Sequence, residues 1–198
     1  EFVNQLAIAI TTVIFNRSAL LFAGEDGVAA VSIIMYLQFL CIGIYFGFSM
    51  GLSTPLGYAY GDRNFSVCRV LEKYAYRFFA IAPIILYGCT YLLAPIGVYF
   101  FASPGSTVFD MAVSGLRLYG LGFLFSGINI FAAIRMMTYG KGYISGMITF
   151  LRSFALLLLF LTVLPRFLEL NGIWLAVPAA EILTLIVALW KKKKKTVA

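Results

Sequence analysis

The sequence predicts an all-α membrane protein, a bundle of six transmembrane helices. Hydrophobic residues make up 62% of the chain and charged residues 12%, with a mean hydropathy of +0.96; an average soluble domain holds roughly 45–50% apolar and 25% charged residues. Uncharged blocks recur at lengths near the roughly 20 residues that a helix needs to cross the hydrocarbon. Lys and Arg collect at alternate connections between those blocks, the asymmetry that orients multi-span proteins.

The first span is predicted over about 2–22, with Asn16 and Arg17 near its far end and Ala23-Gly24-Glu25-Asp26 closing it. The second, about 27–56, carries no charge. Its Pro55 marks a kink or an end, because proline lacks the N–H that a helix interior uses. The third span lies over about 78–101 and turns at Ser103-Pro104-Gly105. The fourth, about 116–138, ends at Gly140-Lys141-Gly142, and the fifth, about 143–164, contains Arg152 and stops at Pro165. The sixth, about 172–190, contains Glu181 and is bracketed by Trp174 and Trp190, placed as interfacial anchors. One six-span unit over 1–190 and a basic cytoplasmic tail over 191–198 complete the division.

The positive-inside rule counts Lys and Arg near span ends. With six spans, one side receives Arg63, Arg69, Lys73, Arg77, Arg135, Lys141, Arg152 and Lys191 to Lys195, and the other only Arg17, Arg117 and Arg166. Both termini are therefore expected in the cytoplasm, with the protein multi-pass in the plasma (inner) membrane. The formal charge of +7 is spread among apolar blocks and the C-terminus, so it reads as topology and not as a nucleic-acid surface. Arg69, Lys73 and Arg77 repeat every fourth residue beside Val70, Leu71 and Tyr74. That segment reads either as a basic helix lying along the inner leaflet or as a solvated loop. Cys41, Cys68 and Cys89 are odd in number and far apart, which makes small core hydrophobes of them. The chain opens on Glu1-Phe2-Val3, without Met or signal peptide, so part of a longer protein is expected.

Gly43, Gly47 and Gly51 form a double GxxxG on one helical face, a packing seam of the kind that draws membrane helices together. Gly115, Gly120, Gly122 and Gly127 loosen the fourth span. Two full charges lie inside spans, Arg152 and Glu181. Intramembrane ionisable residues face the bundle interior and take partners. The fifth and sixth helices are antiparallel neighbours, and the depths of these two residues differ by about one helical turn, so a charge pair is geometrically open to them. Glu181 is then either a structural partner of Arg152 or a protonatable site coupled to transport. Asn16, Gln38 and Asn129 are candidates for lining a cavity or for hydrogen bonds between helices.

The sequence holds no histidine, which excludes His triads, His metal sites and His relays. It has no G-x-x-x-x-G-K-[ST] stretch, so energy from ATP would have to come through a partner. No reacting constellation of an enzyme stands out, and no cofactor or metal is expected.

With these residues in view, the chain resembles the C-terminal lobe of the multidrug and toxic compound extrusion (MATE) family. The resemblance is carried by Gly24-Glu25-Asp26-Gly27-Val28-Ala29-Ala30, by the run GLSTPLGYAYGDRN from Gly51 to Asn64, and by Gly172-Ile173-Trp174-Leu175 with Pro178 and Glu181. Gly127-Ile128-Asn129-Ile130-Phe131, Leu151-Arg152 and Leu164-Pro165 add to it. It implies helices seven to twelve of a two-lobe exporter that exchanges amphipathic cationic compounds for H+ or Na+ by alternating access. The N-terminal six-helix lobe and the bilayer would be its partners. Many cation-coupled members carry an acidic residue in the seventh and tenth helices. Here Ile8 to Phe15 is uncharged and the fourth span offers Asn129, which shifts the expected coupling toward the other lobe. The competing readings are a lipid-linked saccharide flippase of the same superfamily and a non-transporting membrane assembly partner.

Overall fold

The computed structural model describes residues 2–195, with side chains from residue 9 to residue 188. Every regular element among them is helical: α1 (Phe2–Gly61), α2 (Phe65–Tyr99), α3 (Thr107–Tyr119), α4 (Phe123–Thr138), α5 (Gly142–Phe150), α6 (Leu156–Val163) and α7 (Pro165–Lys195). A 3-10 turn, Gly120–Gly122, joins α3 to α4, and a π turn, Leu151–Ala155, joins α5 to α6. These junctions occur inside continuous membrane-length segments, so the described residues contain five helices long and apolar enough to cross a bilayer. They cover Ala9–Gly61, Phe65–Tyr99, Thr107–Thr138, Gly142–Val163 and Pro165–Ala188.

The sequence predicts six such spans, and the difference lies in α1. Its apolar part is 53 residues long, about 80 Å as a straight helix, against a hydrocarbon core of about 30 Å. The helix is not straight. Gly24 has φ 63 and ψ −152, left-handed backbone that glycine enters without a Cβ penalty. A Cβ added at Gly27 would lie 2.8 Å from the carbonyl oxygen of Ala19, whereas residues eight apart in one helix are separated by about 12 Å along its axis. The chain therefore reverses at Gly24. The same device recurs in α7: Glu169 is non-helical, at φ 49 and ψ −128, and a Cβ on Gly172 would lie 2.5 Å from the Leu164 carbonyl oxygen.

Three further expectations change. Arg69 to Arg77 belongs to the first turns of α2 and is neither a separate in-plane helix nor a loop, since Asn64 caps the helix by accepting from the Val67 N–H. Trp174, expected at the interface, is 1% exposed and lies 6.4 Å from Phe15. Close approach of α3, not membrane depth, decides its place, because a Cβ on Gly115 would meet the indole at 2.8 Å. The Trp190 side chain lies outside the described residues, and the backbone of Lys191 to Lys195 continues α7. Cys68 is buried, Cys41 half-buried and Cys89 exposed, so the core role expected of all three fails for Cys89.

Phe15, Ile34, Tyr45, Phe79, Phe123, Phe131 and Trp174 dominate one hydrophobic core shared by α1, α2, α3, α4 and α7. Tyr45 ties it together by donating its hydroxyl to the Phe123 carbonyl at 3.0 Å, the partner a buried phenol needs. A smaller cluster of Leu56, Ala59 and Cys68, with Leu71 and Tyr139 against it, closes the end where α1 meets α2.

Candidate functional site, a buried polar centre

Arg152 occupies the π turn between α5 and α6. A π turn adds a residue to the helical repeat and widens the backbone, and such turns cluster at functional positions. Here the widened turn receives outside support: the Thr11 hydroxyl of α1 donates to the Ser153 carbonyl at 3.3 Å. The Arg152 side chain reaches α7, where its Nη2 lies 2.9 Å and its Nε 3.1 Å from Glu181 Oε1. Asn129 of α4 completes the centre by donating its amide to Glu181 Oε2 at 2.7 Å and to the Glu181 carbonyl at 2.9 Å.

The three side chains lie deep in the bundle. Asn129 is 0% exposed, and the Arg152 and Glu181 side chains are 16% and 5% exposed. A carboxylate taken out of water is tolerated when it is paired and its remaining lone pairs are used, and both Glu181 oxygens accept N–H groups. The Asn129 Oδ1 is buried with no partner among the described residues, which leaves an acceptor beside the ion pair. At the start of the 3-10 turn, Tyr119 donates its hydroxyl to Gln38 Oε1 and so links α3 to α1. Ser126 donates to the Gly122 carbonyl at 2.8 Å.

Of the residues singled out from sequence, Arg152, Glu181 and Asn129 come together, while Gln38 is bonded to Tyr119 of α3. Asn16 lies elsewhere. It lines a cavity of about 560 Å³ beside the Gly24 reversal, with Arg17, Leu20, Glu25, Val28, Ala29 and Ser32, and its Oδ1 is buried without a partner among the described residues. Gly43, Gly47 and Gly51 are exposed, with no atom within 4 Å of an added Cβ; the packing expected of this stripe is not made within the chain. Close helix contact falls instead at Gly115 and Gly127, where a Cβ would meet Trp174 and Phe79 at 2.8 and 2.7 Å. Pro55 is exposed, and α1 continues past it to Gly61.

A second polar cluster lies where α2 and α4 meet. Arg135 Nη1 is 3.4 Å from Glu72 Oε2 and donates to the Tyr76 hydroxyl, while Tyr139 donates to Glu72 Oε1 at 2.7 Å. Burial first, and then the Glu72 carboxylate, raise the Tyr139 phenol above its ordinary pKa, so it remains a donor. Sequence reasoning missed this cluster, together with Thr11 and Tyr119. Their partners are distant in the chain, and no local spacing announces them.

A family model described as MatE matches residues 2–164. No curated protein sequence matches the chain. Among solved structures, an outward-facing multidrug resistance MATE family transporter of the MOP superfamily aligns at TM-score 0.87 and 23% identity, over 98% of this chain and 44% of that one. An inward-facing conformation of a transporter so described aligns at TM-score 0.88 and 22% identity, over 98% and 45%. A MOP superfamily transporter from Pyrococcus furiosus, for which a binding pocket of reversed polarity suggests a different function, aligns at 0.86 and 22%, over 97% and 44%. The chain thus spans less than half the length of the structures it resembles.

Proposed function

We propose, from the premise that this chain belongs to the MatE family, that it forms one six-span lobe of a secondary active exporter of amphipathic cationic compounds, driven by H+ or Na+. In this reading the Gly24 reversal divides α1 into two crossings. Both termini then lie in the cytoplasm of a plasma-membrane protein, and a second six-helix lobe completes the transporter. Alternating access comes from rocking one lobe against the other.

The observation that carries the reading is the Arg152–Glu181–Asn129 centre inside the bundle of a MatE family member. An ionisable pair at membrane depth is costly and marks ion or substrate pathways. Arg152 and Asn129 between them engage both carboxylate oxygens of Glu181; a coupling cation taken up there would compete with the guanidinium and weaken the joint between α7 and the π turn. The centre thereby links occupancy by a cation to the packing of two helices.

Efflux of ethidium from cells expressing the full-length protein, with the sodium and proton gradients collapsed in turn, tests the proposal. Loss of efflux with one gradient is expected. The carboxylate's part is tested by Glu181→Gln, which keeps the shape and removes the charge. Abolished coupling in a folded variant is expected, whereas unchanged coupling with lowered stability leaves Glu181 a structural partner only.

A further inference from the structure

We propose that the α2–α4 end of the bundle is a binding site for an anionic phospholipid, with the phosphate head group held by Arg69, Lys73 and Arg77. The three residues stand at every fourth position of α2, so they form a stripe about 12 Å long on one side of the helix. They line one shallow, open groove of about 400 Å³ along α2, with Glu72, Tyr76 and Ala80. Its charge balance points to a ligand. Glu72, the acidic member of the lining, is already engaged by Arg135 and by the Tyr139 hydroxyl. Among the described residues, Arg69, Lys73 and Arg77 take part in no ion pair, in contrast to Arg135 and Arg152. The groove therefore presents three cations with no ion-pair partner among the described residues.

The apolar surroundings fit a lipid better than a soluble anion. Ala80 lies at the membrane-ward edge of the groove, and the next turns of α2 expose Ile81 and Ile84, at 61% and 66%. A head group on the stripe would lay its acyl chains along these side chains. The stripe is held in place by the Glu72–Arg135–Tyr76 contacts, which fix α2 against α4. Basic pockets at helix ends on the cytoplasmic side are where anionic head groups dock, and the leaflet assignment rests on the orientation proposed above.

The test measures lipid retained by the purified full-length protein in nanodiscs of phosphatidylglycerol mixed with phosphatidylcholine. Retention of phosphatidylglycerol is expected to fall on the order of a hundredfold in Arg69→Ala/Lys73→Ala/Arg77→Ala, at about fivefold for each surface cation. The charge-matched control Arg63→Ala/Lys141→Ala/Lys191→Ala is expected to retain it. If the triple variant does not fold, Lys73→Glu, at an exposed position, carries the same expectation with a smaller loss. Equal loss in the control would overturn the proposal in favour of diffuse attraction, and displacement of the lipid by millimolar inorganic phosphate would overturn it in favour of a soluble anion. Retention is read without transport, so it stands or falls separately from ethidium efflux.

Discussion

Glu181 accepts N–H groups from two side chains that approach it from different helices, Arg152 from the π turn and Asn129 from α4. Removing one member therefore leaves an unpaired buried group. Glu181→Ala strands the Arg152 guanidinium, and a loss of about 3–5 kcal/mol is expected, the usual result of breaking a buried pair from one side. The double variant Arg152→Met/Glu181→Leu removes both charges at similar volume and is expected to regain most of that loss in a thermal unfolding assay. Asn129→Leu deletes a donor to a charged acceptor, for a cost of about 1.5–3 kcal/mol. If the double variant proves no more stable than Glu181→Ala, desolvation is not what sets the energetics of the centre.

At the scale of elements, the reversals at Gly24 and Glu169 share a construction. In each, a glycine three residues past the break packs against the carbonyl eight residues before it, Gly27 on Ala19 and Gly172 on Leu164. Gly172→Ala would put its Cβ 2.5 Å from backbone atoms that cannot swing aside, and overpacking of this kind costs about 1–3 kcal/mol. Gly47→Ala is expected not to lower the unfolding temperature, because an added methyl there meets nothing within 4 Å and alanine favours a helix interior over glycine. The two measured together separate glycines that shape this chain from the exposed GxxxG stripe. Thr11→Val tests the π turn in the same assay. It removes the hydroxyl that serves the Ser153 carbonyl, so a loss of about 1 kcal/mol is expected, along with weaker Arg152–Glu181 pairing.

At the scale of the whole molecule, exposed side chains such as Phe39, Leu92, Phe100 and Tyr143, each more than two-thirds exposed, are explained by a surrounding bilayer; in water a surface so rich in apolar groups would aggregate. The six-crossing reading predicts that single cysteines at Glu25 and Ser106 react with an impermeant maleimide from outside, and those at Asn64 and Lys141 only from inside, once the native cysteines are replaced. Glu25 labelled from the same side as Asn64 would remove the first reversal from the membrane topology.

Composition and the spacing of uncharged blocks determined the helical membrane class, because a bilayer leaves a chain of this hydropathy little choice but helices that satisfy their own backbone. Periodicity also placed Arg152 and Glu181 at matching depths, since rise per residue in a helix is fixed. Rotation about the helix axis is not fixed by depth. Packing therefore decided that Asn129 faces Glu181 while Asn16 borders a separate cavity, that Trp174 enters the core, and that Gly43, Gly47 and Gly51 face outward. It also decided which charges are satisfied within the chain. Glu72 went to Arg135 and Tyr139 across elements that sequence spacing cannot relate, leaving the neighbouring cations of α2 without an ion pair among the described residues.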